Sequence, residues 1–212
     1  MFHQVAPDTD SMACLPSFAH WQRRLIAAEQ GRGWLDECDE VGRFLALGQE
    51  LLDALSLALR PLAELGPVLE VCAGSGDLAR ALNTTGVPVQ ATDAKPPNEA
   101  AGVWRMTADA AMRHFRPAVV LGVFVPHDAA VDEAVLACPS VQHYLALNAR
   151  IGGSFASRAF WRTPGWHARP LEAIDRWMIT RHDVWLGSAG AGPGELIKRH
   201  GEAWHLARHP GR

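Results

Sequence analysis

The stretch VLEVCAGSGDLARAL, Val68 to Leu82, sets a carboxylate inside an apolar run and follows it with a glycine-rich turn. Gly74 and Gly76 let the backbone bend sharply and expose main-chain N–H groups, and the start of a following helix favours a negative group there. Glu70 makes the opposite demand. A carboxylate among valines and leucines is costly unless a positive or hydrogen-bonding group faces it. Farther along, His127 in VFVPHDAAVDEA carries an imidazole, whose ordinary pKa of about 6.5 suits proton removal near neutrality, and Asp128 beside it has the chemistry of a helix N-cap. Phe160, Trp161 and Trp166, and near the N-terminus Trp21 and Trp34, could wall a substrate pocket or pack the core. His205 and His209 have HxxxH spacing, which joins two metal ligands only on a helix. GEAWHLARH reads as a strand closed by Pro210, and no Cys/His cluster accompanies it, so no metal site is expected.

These groups need elements to hold them. Val68 to Val71 reads as a buried strand and Asp77 to Leu82 as a helix, with strands following at Val87–Thr92, Val103–Met106 and Ala118–Phe124. Ala94 to Val103 is so short a crossover that its helix is one turn or absent. Asp128–Leu136 and Val141–Ala149 read as helices and Ser154–Phe160 as a fifth strand, reached through Gly152 and Gly153. Largely apolar strands between helices mean a parallel sheet covered on both faces, an α/β fold. Trp177–Trp185 and Gly201–His209 read as an antiparallel pair at its C-terminal edge. Ahead of the sheet, Ser17 caps a helix that Gly31 stops. From Leu35 to Arg60, Val41, Phe44, Leu45, Leu51, Leu52, Leu55 and Leu59 form one amphipathic stripe ending at Pro61, on which Gly48 marks a bend or a close neighbour. The expected division is residues 1–65 as an arm and helical lid, and 66–212 as the ligand-binding domain.

Composition narrows the function classes. The 212 residues are 48% apolar and 20% charged with a formal charge of −3, which fits a folded chain and not a nucleic-acid coat. Lys95 and Lys198 are the only lysines, so positive charge is nearly all arginine, a mark of genome composition in a bacterial manner, and it gathers mildly in the C-terminal third. Cys14, Cys38, Cys72 and Cys138 form no CxxC pair, and the N-terminus lacks a basic start with an apolar core; both predict a cytoplasmic chain. No apolar run is long enough for a membrane span.

Ligands of open parallel sheets sit beyond the carboxyl ends of the strands, beside the first one. Dinucleotides and S-adenosylmethionine both use a glycine turn there, and Gly74, Gly76 and Ala79 satisfy GxGxx(G/A) literally. Glu70 separates the two. Next to a pyrophosphate it would repel; next to a cationic sulfonium and amino group it attracts. VLEVCAGSGDLARAL resembles the first motif of class I S-adenosylmethionine-dependent methyltransferases: an apolar pair, Glu or Asp, an apolar residue, then GxGxG, with Cys72 in place of the first glycine. The resemblance spans roughly Val68 to Phe160 and implies a Rossmann-like fold.

It implies a cofactor site at Glu70, Cys72, Ala73, Gly74, Ser75 and Gly76. Asp93 and Ala94 after the second strand would meet the ribose hydroxyls, Ala108, Asp109 and Ala110 after the third would meet adenine, and Val123 and Phe124 would close the site at the fourth. His127 is the implied base, with Trp21, Trp34, Phe160 and Trp161 about the acceptor. Each acid also has a structural reading: Glu70 as a strand-end cap, Asp93 as a turn residue before Pro96, Asp109 as a helix cap. The function expected is methyl transfer to an oxygen or nitrogen of a small molecule, without nucleic-acid or membrane partners. An RNA or protein methyltransferase, an NAD-dependent oxidoreductase and a non-catalytic cofactor binder remain alternatives.

Overall fold

Val68–Val71, four residues buried in succession, form β1 at the centre of the sheet. A strand buried on both faces must have layers above and below it. The computed structural model describes residues 14–97, 100–127, 130–150, 156, 158–187 and 197–209. Asp128, Gly152, Gly153, Ser154 and the SAGAGPG loop lie outside them.

The helices ahead of the sheet are α1 (Phe18–Glu29), α2 (Trp34–Glu40) and α3 (Gln49–Leu59). Ser17 caps α1 by accepting the His20 N–H at 3.2 Å. The long helix expected from Leu35 to Arg60 is two helices with an extended segment between them. Gly42 turns the chain with φ 62, and Leu45 bridges to Thr180. Tertiary pairing there overrides the helical periodicity, which leaves Val41 and Phe44 exposed. Gly48 caps α3, and a Cβ on it would come 3.2 Å from the Pro16 carbonyl, the close neighbour anticipated.

After β1 come α4 (Asp77–Thr84), β2 (Val89–Asp93), β3 (Val103–Arg105), α5 (Ala108–Phe115), β4 (Val119–Val123) and α6 (Val131–Ala137). Then follow β5 (His143–Ala149), α7 (Arg158–Arg162), β6 (Trp166–Pro170), α8 (Glu172–Asp175), β7 (Val184–Trp185), β8 (Ile197–Lys198) and β9 (Gly201–Arg208). The main sheet has seven strands in the order β3-β2-β1-β4-β5-β9-β6. It is parallel from β3 to β5, and β9 runs antiparallel to both its neighbours. This is a Rossmann-like α/β sheet.

Two expectations slip by one element. Val141–Ala149 is not a helix but largely β5, with Tyr144, Leu145, Ala146 and Leu147 all buried between β4 and β9. An unbroken apolar run fits a buried helix and a buried strand equally well, and the neighbours decide. The segment read as the fifth strand holds the start of α7 instead. The reversed C-terminal strand is present as β9, but its outer partner is β6. Of the Trp177–Trp185 segment, Val184–Trp185 is extended, and it pairs with β8 in a separate two-stranded sheet.

Leu51, Leu52, Leu55 and Leu59 of α3 pack with α4 on one face of the main sheet, while α5, α6 and Phe160 cover the other. A third core joins α1 and α2 to the chain's far end through Leu25, Trp34, Cys38, Ile179 and Ile197. α1 and α2 are thus packed against Ile179 and Ile197. β1 leads to β2 on one side while β4 lies on the other, so the carboxyl ends of β1 and β4 part at a switch point, where such sheets open a crevice.

Candidate functional site

Glu70 lies at the third position of β1 and is 2% exposed. Its Oε2 is buried with no hydrogen-bond partner among the described residues. Burial pushes the carboxyl up to about 8, partly offset by the Ala79 N–H at the start of α4. An ionisable group kept neutral by its surroundings at the foot of a glycine turn is poised for a cation. A positive ligand would restore its charge.

The turn above it follows from its residues. Gly74 and Gly76 have φ 55 and 76, a left-handed backbone that a β-carbon disfavours. Their surroundings differ. A Cβ on Gly76 would meet Val103 Cγ2 at 2.6 Å, so Gly76 lets α4 close on β3. A Cβ on Gly74 would meet nothing within 4 Å, so that position faces open space. Cys72, which stands where the resembled motif has a glycine, adopts φ 58 without being one. Its half-buried side chain packs on the core under α5, and burial pushes the thiol up to about 11, so it is a neutral space-filler. Ser75 Oγ donates to Asp77 at 2.7 Å.

Asp93 ends β2 beside this turn. One carboxylate oxygen accepts the Gly74 N–H at 2.9 Å and the other the Lys95 N–H at 2.7 Å. These bonds fix the turn against β2 and still leave a lone pair on each oxygen for a ligand hydroxyl. Both the structural and the ligand role expected of Asp93 are compatible with this geometry. Ala94 is exposed beside it. Thr107, not Asp109, caps α5, accepting the Ala110 N–H at 3.3 Å. Asp109 is exposed and paired with Arg113 one turn on. Ala108 and Ala110 flank it half-buried.

Val123 ends β4, and Phe124 turns away from it with φ 52. The register sets Val71 beside Gly122, so Phe124 and the Cys72–Gly76 turn leave the sheet side by side. His127 is exposed three residues beyond Phe124, on the same edge of the sheet.

The expected aromatic walls divide. Trp34 is fully buried and donates its indole N–H to the Thr180 carbonyl at 2.8 Å; Trp21 donates to the Leu47 carbonyl at 3.0 Å. Both belong to the third core, and Trp34 offers no surface to a substrate. Phe160 is 2% exposed and packs on Tyr144, which also removes it from the pocket wall. Trp161 remains exposed and packs edge-on against Trp204. A residue that the sequence reading did not bring to this edge is Phe44. Its ring lies 5.6 Å from that of Phe124. Its place on a supposed helical stripe concealed it; the signal was Gly42, two residues earlier.

No protein-family model matches the chain, and no curated protein is similar to it by sequence. Among solved structures it is similar to the 23S rRNA methyltransferase ErmE, at 17% identity over 78% of this chain and 70% of that one, with a TM-score of 0.45. It is also similar to the magnesium protoporphyrin IX methyltransferase ChlM from Synechocystis PCC 6803 with bound SAM, at 12% identity over 76% and 79%, TM-score 0.44. A third is the SAM-dependent methyltransferase from Agrobacterium tumefaciens, at 14% identity over 74% and 60%, TM-score 0.46. Likeness this distant does not bear on what the site does.

Proposed function

We propose that the chain is an S-adenosylmethionine-dependent methyltransferase. The observation that carries this reading is the buried, unpartnered Oε2 of Glu70 beneath the Gly74 turn, with Asp93 on the neighbouring strand. A pyrophosphate calls for free main-chain N–H groups, but the Gly74 N–H is given to Asp93 and the Gly76 N–H to the Ala73 carbonyl, which disfavours the nicotinamide alternative. The residues fit the cofactor: Glu70 answers its positive end, Asp93 its ribose hydroxyls, and the space at Gly74 admits it against the backbone.

When bound, S-adenosylmethionine supplies an electrophilic methyl on a cationic sulfur. The chain's own contribution is alignment and the exclusion of water, through the apolar ends of β1 and β4 and the rings of Phe124 and Phe44. His127, on the open edge, takes the proton from an oxygen or nitrogen nucleophile of a small acceptor. Asp109, Ala108 and Ala110 line the adenine side, and Trp161 flanks the acceptor.

Calorimetry with S-adenosylhomocysteine and with NAD tests the cofactor. The expected result is micromolar binding of S-adenosylhomocysteine alone, severely weakened in Asp93→Ala and Gly74→Val. Binding of NAD instead would reverse the reading. Transfer of labelled methyl from S-adenosylmethionine in a crude extract tests the acceptor: label in the low-mass fraction supports a small molecule, and label in RNA or protein replaces it with a polymer.

A further inference from the structure

Three strands set the direction in which S-adenosylmethionine lies, an orientation that rests on the proposed identity of the cofactor. Val71 of β1 is level with Thr92 of β2 on one side and Gly122 of β4 on the other. A ligand whose ribose meets Asp93 and which crosses the Gly74 turn therefore carries its sulfur end toward the residues after β4. The first of these is Phe124. Its left-handed backbone, φ 52, is one that a β-carbon disfavours, and it is pinned by an N–H donated to the Leu147 carbonyl at 2.8 Å. Strain held in this way gathers where a side chain must be aimed.

A second ring reaches the same place from outside the sheet. Phe44 lies 5.6 Å from Phe124, tilted by 46°, and yet 47% of it stays exposed. It is not on a loose loop. Arg181 donates its N–H to the Phe44 carbonyl at 3.0 Å, and Ala46 donates to Ile179 at 2.8 Å. The Arg181 guanidinium lies 4.8 Å from the ring centre and is ion-paired with Asp39. A half-exposed aromatic side chain fixed by a rung between two distant segments, at the sulfur end of the cleft, is placed for a ligand.

We infer that Phe44 and Phe124 form an aromatic clasp over the sulfonium, with Phe44 a cofactor-binding residue supplied by the N-terminal segment. Ring faces attract a cation, and the attraction grows as water is excluded. Glu70 supplies the full charge from beneath the turn, and the rings supply a softer one from β4's side. After methyl transfer the sulfur is a neutral thioether, to which the ring faces offer only apolar contact. The clasp therefore grips the substrate form of the cofactor more tightly than the product form.

Calorimetry of the full chain with S-adenosylmethionine, S-adenosylhomocysteine and adenosine tests this. Phe44→Leu keeps apolar volume but no ring face. It should weaken S-adenosylmethionine about tenfold, a desolvated cation–π contribution, and leave S-adenosylhomocysteine and adenosine near their wild-type affinities. Phe44→Tyr should restore S-adenosylmethionine. Phe124→Leu, which likewise keeps apolar volume but no ring face, should weaken S-adenosylmethionine in the same selective way. If Phe44→Leu binds S-adenosylmethionine as well as wild type, or loses all three ligands alike, the clasp is wrong although the cofactor reading stands. If wild type binds neither S-adenosylmethionine nor adenosine, both fall together.

Discussion

Glu70 carries two costs of opposite kinds, one to the free protein and one relieved by the ligand. Its carboxyl is raised from 4.5 to about 8 by burial. Between those pH values the folded chain holds a proton that the unfolded chain has released. Stability therefore falls as pH rises through that window, by up to about 1.4 kcal/mol per pH unit. Glu70→Gln should remove this slope, making the free protein more stable than wild type at pH 8 to 9 while weakening S-adenosylmethionine binding. Urea denaturation at pH 5, 7 and 9 reads the first effect, and an unchanged slope would mean that Glu70 is ionised in the fold. Cys72 gives a second residue-level prediction. Cys72→Gly relieves a left-handed backbone at the loss of a half-buried thiol, and should stabilise by about 1 kcal/mol. This could not be read from the sequence as strain. The motif marked Cys72 as a departure, and only its φ shows that the chain keeps the glycine conformation regardless.

At the scale of elements, the two glycines of the turn do different work, which their shared spacing hides. Gly76 lets α4 close on β3, whereas Gly74 faces open space. Gly76→Ala must displace Val103 and should cost well over the roughly 1 to 2 kcal/mol of the backbone conformation alone. Gly74→Ala should cost about that conformational amount and no more. Thermal melting of the pair decides it, and equal losses would contradict the packing described. The sequence made β1, α4, β2, β3 and β4 legible because each combined an apolar run with a turn signal, and Glu70, Gly74, Gly76 and Asp93 came with them. The segment after α6 was illegible for a physical reason. In HYLALNA an alanine- and leucine-rich run satisfies helix propensity, and only β4 and β9 on either side make it a strand. The break between α2 and α3 was lost likewise, because its cause, the Leu45–Thr180 bridge, is 135 residues away in the chain.

At the scale of the whole molecule, α1 and α2 share one core with Ile179 and Ile197, so segments far apart in the chain are packed together. The far edge of the sheet has its own pH dependence. Arg169 Nε donates to His205 Nδ1 at 3.2 Å, which directs His205 Nε2–H to His143 Nδ1 at 3.1 Å. Burial, with the Arg169 charge, lowers His205 to about 4. Here the unfolded chain binds the extra proton, so stability rises with pH from about 4 to about 6.5, opposite in sign to Glu70. Between about pH 4.5 and 6.5 the two slopes oppose each other, so His205→Gln should leave stability falling from about pH 4.5 to 8, whereas Glu70→Gln should leave it rising from about pH 4 to 6.5 and level above. Denaturation across pH 4 to 9 checks both, and a profile unchanged from wild type in either variant would contradict the slope assigned to that residue.

Glu70, whose carboxyl burial raises to about 8 beneath the turn, ties the fold to the proposed chemistry. Calorimetry of S-adenosylmethionine binding at pH 7 in buffers of differing ionisation enthalpy counts the protons exchanged. Wild type should release close to one proton more per ligand than Glu70→Gln, as its carboxyl ionises against the bound cation. Equal proton counts in the two proteins, or binding by Glu70→Gln as tight as wild type, would contradict that link between the buried acid and the cofactor.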